Sequence, residues 1–336
     1  MSNDDRLLLA GDIGGTKTTL ALFTREGGPR RPVAQATFPS GEYGSLEAIV
    51  ERFLSGKNVR VSKASFGVAG PVVQDRAQVT NLPWKADALL LSRALAGAPV
   101  RLLNDLEAIA HAVPFLERSD LETLNQGQPD RKGRRAVIAP GTGLGEAFLV
   151  WDGKRFRTFS SEGGHADFAP TTPTQVELLS YLLNRFEHVS YERVCSGKGL
   201  PNLYTFLRDS GRFAEPDWLR DRLASEHDPT PILVQVALDG AAEICEEALE
   251  LFVSILGGEA GNLALRVLAT GGIYLGGGIP PRILSLLKAP SFMRSFTRKG
   301  RFADWVGRVP VHVILNPQVA LLGAACHGLE SELWHD

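Results

Sequence analysis

Cysteine is scarce in this chain: 336 residues include only Cys195, Cys245 and Cys326. Three cysteines without a Cys-x-x-Cys pair argue against a disulfide framework or a zinc motif and point to a reducing compartment. The seven histidines lack metal-ligand spacing, so no metal site built from protein ligands alone is expected. Neither sign of charge is in excess. Lys and Arg total 36 against 38 Asp and Glu, mixed along the chain for a net charge of −2. That balance offers no basic face for nucleic acid and no polybasic membrane anchor. Long apolar runs are also missing: residues 249–256 are too short to span a bilayer, contain Glu250 and are preceded by Glu246 and Glu247. Residues 1–6 carry two aspartates where a secretory leader needs positive charge. By elimination, a cytoplasmic location is expected. Finally, no Gly-x-x-x-x-Gly-Lys-Ser/Thr run occurs, which leaves a P-loop kinase unsupported.

What is present is the composition of an ordinary globular protein, 44% apolar and 22% charged, and a length that suits two domains. Residues 7–12, 18–24 and 32–38 read as three strands, the first two joined by a tight turn at Gly14-Gly15. Residues 45–54 have helical spacing, 61–68 strand character, 86–95 helical spacing and 100–103 the look of a short buried strand. The second half repeats the opening: a strand at 135–139, a turn at Gly141-Thr142-Gly143, a strand at 147–151, a turn at Asp152-Gly153 and a strand at 155–159. A helix over 174–186 would bury Val176, Leu179, Leu183 and Phe186. A long helix over 240–256, continued by small residues to 267, a strand over 268–275, a strand over 309–315 and a helix over 318–329 complete the chain. Strands in series followed by alternating helices and strands imply a mixed sheet covered by helices. The two glycine turns suggest an internal duplication, though chance can also produce such a pair.

Three glycine loops are candidate ligand sites. In Gly11-Asp12-Ile13-Gly14-Gly15-Thr16, the glycines permit close backbone approach to phosphate and Asp12 can order a magnesium ion through water. An ordinary hairpin explains the same residues. Gly141-Thr142-Gly143-Leu144-Gly145 offers a second set of N–H donors, but it is neither Gly-x-Gly-x-x-Gly nor a P-loop. Gly271-Gly272 and Gly276-Gly277-Gly278 bracket an apolar strand and leave either a slot for a nucleobase or a plain turn. Asn104-Asp105, after a buried strand and before residues 106–113, reads as a helix N-cap or as a catalytic pair facing a cleft. His165, Glu162 and Glu192 read as solvated surface groups or as directed partners for sugar hydroxyls. Asp167 has no role of its own beyond a possible buttress to His165.

Taken together, the chain resembles the bacterial glucokinases of the hexokinase–actin superfamily, in the branch without a cysteine-rich zinc motif. The resemblance runs over nearly the whole chain. It is carried by the loops above, by Leu103-Asn104-Asp105, by Glu162-Gly163-Gly164-His165-Ala166-Asp167-Phe168-Ala169-Pro170, by His188-Val189-Ser190 with Glu192-Arg193-Val194, and by Ser196-Gly197. It implies an α/β fold of two RNase-H-like lobes around a central cleft. Residues 1–115 plus 312–336 would form the small lobe and 116–311 the large one. It implies Mg²⁺- and ATP-dependent phosphorylation of glucose at the 6-hydroxyl, with glucose and ATP as partners and a homodimer as the assembly. Asp105 would be the base. Asn104, Asp105, Glu162, His165 and Glu192 would bind the sugar. Asp12, Gly14, Gly15, Thr16, Gly141, Thr142, Gly143, Gly271, Gly272 and Gly277 would surround the nucleotide, with Asp12 near the metal. The chain departs from the family pattern at Lys17-Thr18-Thr19 and at Lys198. Two rivals remain: a kinase for another hexose or an amino sugar, and a sugar-sensing regulator. The regulator would require a DNA-binding extension or a lost base.

Overall fold

A computed structural model describes residues 6–79 and 82–330; the leader reading of residues 1–6 therefore falls, for residues 1–5, outside the described residues. The chain divides into two compact units, Met1–Glu117 with Asn316–Asp336, and Arg118–Leu315.

In the first unit β1 (Arg6–Ile13), β2 (Lys17–Phe23) and β3 (Ala34–Pro39) form an antiparallel meander. β4 (Arg60–Val68) then runs parallel to β1. A small separate sheet follows, made of β5 (Val72–Val73), β6 (Arg76–Gln78) and β7 (Lys85–Asp87). β8 (Val100–Asn104) pairs parallel to β4 and completes the order β3-β2-β1-β4-β8. The helix Leu46–Leu54 forms because Ser45 caps it, its Oγ accepting the Ala48 N–H at 3.2 Å, and it buries Leu46, Ile49, Val50 and Phe53. The helix expected from residue 86 begins at Ala88 instead. Lys85–Asp87 is drawn into strand pairing, and the Asp87 carboxylate accepts the Leu89 and Leu90 N–H groups that start the helix Ala88–Ala94. The C-terminal helix Val319–Leu329 lies against β1 and β2, packing Leu321, Ala324 and Ala325 on Leu8, Ala10, Ala21 and Phe23.

The second unit contains β9 (Leu121–Asn125), β10 (Arg135–Pro140), β11 (Leu144–Trp151), β12 (Phe156–Ser161), β13 (Gly272–Leu275) and β14 (Val311–Ile314), in the order β12-β11-β10-β13-β14-β9. Its first five positions repeat the first unit: an antiparallel meander, then two strands parallel to its first member. This shared order decides for duplication the question that the glycine turns left open. β9, antiparallel on the edge, is the addition of the second unit.

The helix Pro173–Leu183 corrects one expectation. It turns Gln175, Leu178 and Leu182 inward and leaves Val176 and Leu183 51% and 53% exposed. Gln175 tolerates burial because its polar atoms are matched: Oε1 accepts the Thr171 N–H at 2.8 Å and Nε2 donates to Ser254 Oγ at 3.4 Å. The helix Glu243–Val267 starts three residues later than expected, ends where expected and is, by length and composition alone, apolar enough to cross a membrane. In this fold 72% of its apolar window is buried, because it is the central helix of the unit. Gly257 and Gly261 let it approach the Phe292 and Phe296 carbonyls so closely that a side chain at either position would overlap them.

Candidate active site

β1, β4 and β8 are parallel, and their carboxyl ends bring Asp12 opposite Gly67 and Val68 opposite Asn104. Ligands of open α/β sheets gather outside such strand ends. Asn104 caps the helix Asp105–Ala112: Oδ1 accepts the Leu106 N–H at 2.9 Å and Nδ2 donates to the Gly70 carbonyl at 2.9 Å. The cap reading thus holds for Asn104, and the cap fixes Asp105 as the first residue of the helix. Asp105 Oδ1 shares the Leu106 N–H at 2.9 Å. Burial lifts the Asp105 carboxyl above the usual carboxylate range, against hydrogen bonds from Leu106, its own amide and Asn104 that pull it down. It is therefore a stronger base than an exposed aspartate.

Asp12 is pushed up to about 6, first by burial and then by the negative charge of Asp105, with Lys17 pulling the other way. Two carboxyls held this close form a donor set suited to a hard divalent cation. They also carry a cost that can be measured. A carboxyl with a raised folded pKa is ionised more easily in the unfolded chain, so the cost begins as pH rises past 3.8 and is complete above about 6. A displacement of that size corresponds to about 3 kcal/mol, reduced to about 1–2 kcal/mol for a partly exposed group. Asp12→Asn should therefore raise the stability of the metal-free protein at neutral pH, with the gain vanishing at acid pH. Denaturant titrations at the two pH values test this, and a gain that persists in acid would refute it.

The turn after Asp12 is closed by Gly14 N–H to the Lys17 carbonyl at 3.0 Å. Ser40, buried beyond the end of β3, clamps it: its N–H donates to the Thr16 carbonyl at 3.0 Å and its Oγ to the Gly14 carbonyl at 2.7 Å. Thr18 Oγ1 lies 2.9 Å from Ser40 Oγ, and Thr19 Oγ1 lies 3.0 Å from Thr37 Oγ1. The departure at Thr18-Thr19 thus supplies internal braces, while Gly15 and Thr16 stay at the accessible tip. Nothing in the sequence singled out Ser40, because its role depends on a strand pairing distant in the chain.

In the second unit four segments meet at the carboxyl end of β10. Gly141 N–H turns inward to the Gly143 carbonyl at 2.9 Å, as Gly14 does in the first unit. Gly197 N–H donates to the Gly141 carbonyl at 2.7 Å, and Glu192 Oε2 accepts the Leu144 N–H at 2.9 Å. A side chain at Gly143 would overlap that Glu192 carboxylate. Glu162 and His165 sit on one 3₁₀ turn, Gly163–His165 with Glu162 before it, closed by His165 N–H to the Glu162 carbonyl at 2.9 Å. Their side chains project outward, His165 Nε2 being 4.0 Å from Glu162 Oε2. Gly277, at φ +81°, lies against the Pro140 carbonyl, a conformation and a closeness that only glycine accepts. Glu162, His165, Glu192, Gly141, Thr142, Gly143 and Gly277 are thereby gathered at one end of the sheet.

Gly271 and Gly272 are not gathered there but stand at the other end of β13. Gly272 opens β13 opposite Arg135, the start of β10, so it lies about 16 Å of extended chain from Gly277. Gly271 N–H donates to the Arg134 carbonyl at 2.8 Å, and both glycines serve a tight backbone crossing. Asp167 does not buttress His165 either. Its Oδ1 lies 2.8 Å from His188 Nε2, and its backbone bridges to Ser190, tying the 162–167 segment to the 188–192 segment.

Comparison with known proteins agrees with this geometry. Residues 9–331 match the family model described as Glucokinase. The chain is 41% identical over 333 residues to a glucokinase of Nostoc punctiforme, covering 95% of this chain and 98% of that protein. Among solved structures it is similar to a glucokinase from an Antarctic psychrotroph, at a TM-score of 0.83 and 33% identity, over 95% of this chain and 98% of that one. It also shares its fold with a glucokinase of Balamuthia mandrillaris in complex with glucose, at a TM-score of 0.78 and 22% identity, over 97% and 94% of the two chains. With the two carboxyl-end sites in place and these matches spanning almost its full length, the chain belongs to the glucokinase family.

Proposed function

We propose that Asp105 is the general base with which this chain carries out the family reaction, transfer of the γ-phosphoryl group of ATP to the 6-hydroxyl of glucose. The observation that carries this reading is a partly buried carboxylate, made more basic by its surroundings, fixed by a cap at the carboxyl end of a parallel strand. As the 6-oxygen forms its bond to phosphorus and the bond to the ADP oxygen breaks, the hydroxyl proton passes to the Asp105 carboxylate. Glu162 and His165 hold ring hydroxyls, and Glu192 joins them with the oxygen that does not brace Leu144. Asn104, whose side chain is largely spent on the cap, acts on the sugar chiefly by fixing Asp105.

The turn tips at Gly15-Thr16 and at Thr142-Gly143 are the positions whose backbone donors suit phosphate oxygens. Gly14 and Gly141 contribute close approach, since their N–H groups are used within the turns. Gly277 shapes the seat for adenosine. Asp12 would hold Mg²⁺ through water, and the ion would supply charge neutralisation for the transferring phosphoryl group. The three buried thiols support a reducing, cytoplasmic setting. A homodimer is the assembly that the family resemblance supports, and light scattering would measure it.

A coupled assay over a hexose panel with ATP tests the whole reading. An inverted hydroxyl leaves a polar group of the site unpaired at about 1–3 kcal/mol, so mannose and galactose should be used about 10- to 100-fold less efficiently than glucose. Glu162→Gln should raise KM for glucose by a similar factor with little change in kcat, provided that the 6-hydroxyl keeps its orientation. Equal efficiency on all three sugars would remove the glucose-specific reading.

A further inference from the structure

Beneath the Glu162–His165 turn lies a carboxyl group that the reaction does not use. Glu146 is on β11, paired across the sheet with Ser161, and is only 1% exposed. Its carboxyl fills the space where a Gly163 side chain would be, and Gly163 N–H donates to Ser161 Oγ at 3.0 Å. Facing Glu146 within hydrogen-bonding reach is Glu259 of the central helix, fully buried. Among the described residues the other partners of Glu259 are donors: Arg266 binds Oε1, Asn262 Nδ2 donates to Oε2 at 2.9 Å, and the Tyr191 hydroxyl also reaches it. Glu146 Oε1, by contrast, has no hydrogen-bond partner among the described residues.

Two ionised carboxylates cannot share so dry a contact, and the donors assign the negative charge to Glu259. We propose that Glu146 is a positioning residue of the sugar site: it keeps a proton shared with Glu259, and this protonated carboxyl is the floor that sets the Gly163 turn. The proposal rests on the reading that Glu162 and His165 bind glucose.

Burial and the charge of Glu259 both drive the Glu146 carboxyl upward, against Arg266. The other titratable groups around the pair are Tyr191, Cys195 and Lys299. Tyr191 and Cys195 are pushed up by burial and by Glu259, so they stay neutral. Lys299, lowered by burial, donates to Asn262 Oδ1 at 2.7 Å and to the Gly258 carbonyl at 2.8 Å. Loss of the shared proton at alkaline pH would set two buried charges against each other. Glu146 is buried against Gly163, so a shift of its carboxyl displaces the turn and the sugar loses its partners.

Glu146→Gln keeps the shape and donates to Glu259 at every pH, which separates the proton from the packing. In calorimetric titrations with glucose and no nucleotide, affinity of the unmodified protein should fall about tenfold from neutral to alkaline pH. Glu146→Gln should stay within about threefold of the neutral value throughout. Infrared spectra should show a protonated-carboxyl band at neutral pH that Glu146→Gln removes. Absence of that band, or an alkaline decline that survives in Glu146→Gln, would overturn the proposal. If Glu162→Gln left glucose affinity unchanged while the band persisted, the sugar reading would fall and the shared proton would stand.

Discussion

Asp105→Asn should lower kcat by about 10²- to 10⁴-fold, the usual worth of a general base, while glucose affinity stays within a few-fold. The amide keeps the size of the side chain and can still accept the Leu106 N–H through Oδ1, so the start of the helix Asp105–Ala112 survives. It cannot take the hydroxyl proton. Folding should not suffer either, because burial already works against the charged form of this residue. A second consequence follows from the same charge: with Asp105 neutral, Asp12 loses the second-largest cause of its elevation and returns toward the ordinary carboxylate range. Coupled assays with calorimetric glucose binding separate catalysis from affinity. Near-normal turnover in the purified variant would remove Asp105 from the mechanism.

The second large effect is expected at a residue that touches no ligand. Gly323 sits where the helix Val319–Leu329 meets the helix Asp105–Ala112, and a Cβ there would overlap the Ala108 carbonyl. The obstacle is backbone, flanked by Ala108 and Ala320, so it cannot yield as a flexible side chain would. In a helix free of neighbours, Gly→Ala is worth about 1 kcal/mol of added stability. Here Gly323→Ala should instead cost about 1–3 kcal/mol through overpacking, lowering the melting temperature by about 5–10 °C. The same displacement moves the helix that begins at Asp105. Turnover should therefore fall with stability, and a shift of 1 Å at the base can cost about 10²-fold. Thermal melts and kcat measured on the same preparation check both effects. An equal or higher melting temperature with unchanged kcat would show that the two helices separate freely.

Local patterns were legible where the chemistry is local. Ser45 before an apolar 3.6-residue stripe announced its helix, and Asn104-Asp105 between a buried strand and a helical stretch announced a cap and a carboxylate together. The Gly14 and Gly141 turns were readable because a hairpin needs compact residues at its tip, and the structure places them at corresponding positions of two sheets with one strand order. The run from Glu162 to Pro170 marked the family, although its roles came from resemblance rather than from spacing.

Other features depended on what lies across space. Periodicity gave the helix Pro173–Leu183 two competing stripes, and the satisfied burial of Gln175 chose the one without Val176 and Leu183. Gly271-Gly272 and Gly276-Gly277-Gly278 look alike in the chain, yet a parallel strand carries its two ends to opposite edges of the sheet, so only Gly277 reaches the site. Ser40 and Glu146 look like any serine and glutamate. One becomes a clamp and the other a buried carboxyl set against a second carboxyl only when strands and the central helix enclose them. Composition, turn chemistry and helix periodicity are short-range properties, which is why the sequence by itself determined most of the elements, the class of fold and the place of the Asn104-Asp105 pair between a strand and a helix. Which face is buried, which glycine joins the cluster at the strand ends and which carboxyl stays protonated are set by desolvation and by contacts between distant residues, and those exist only in the folded chain.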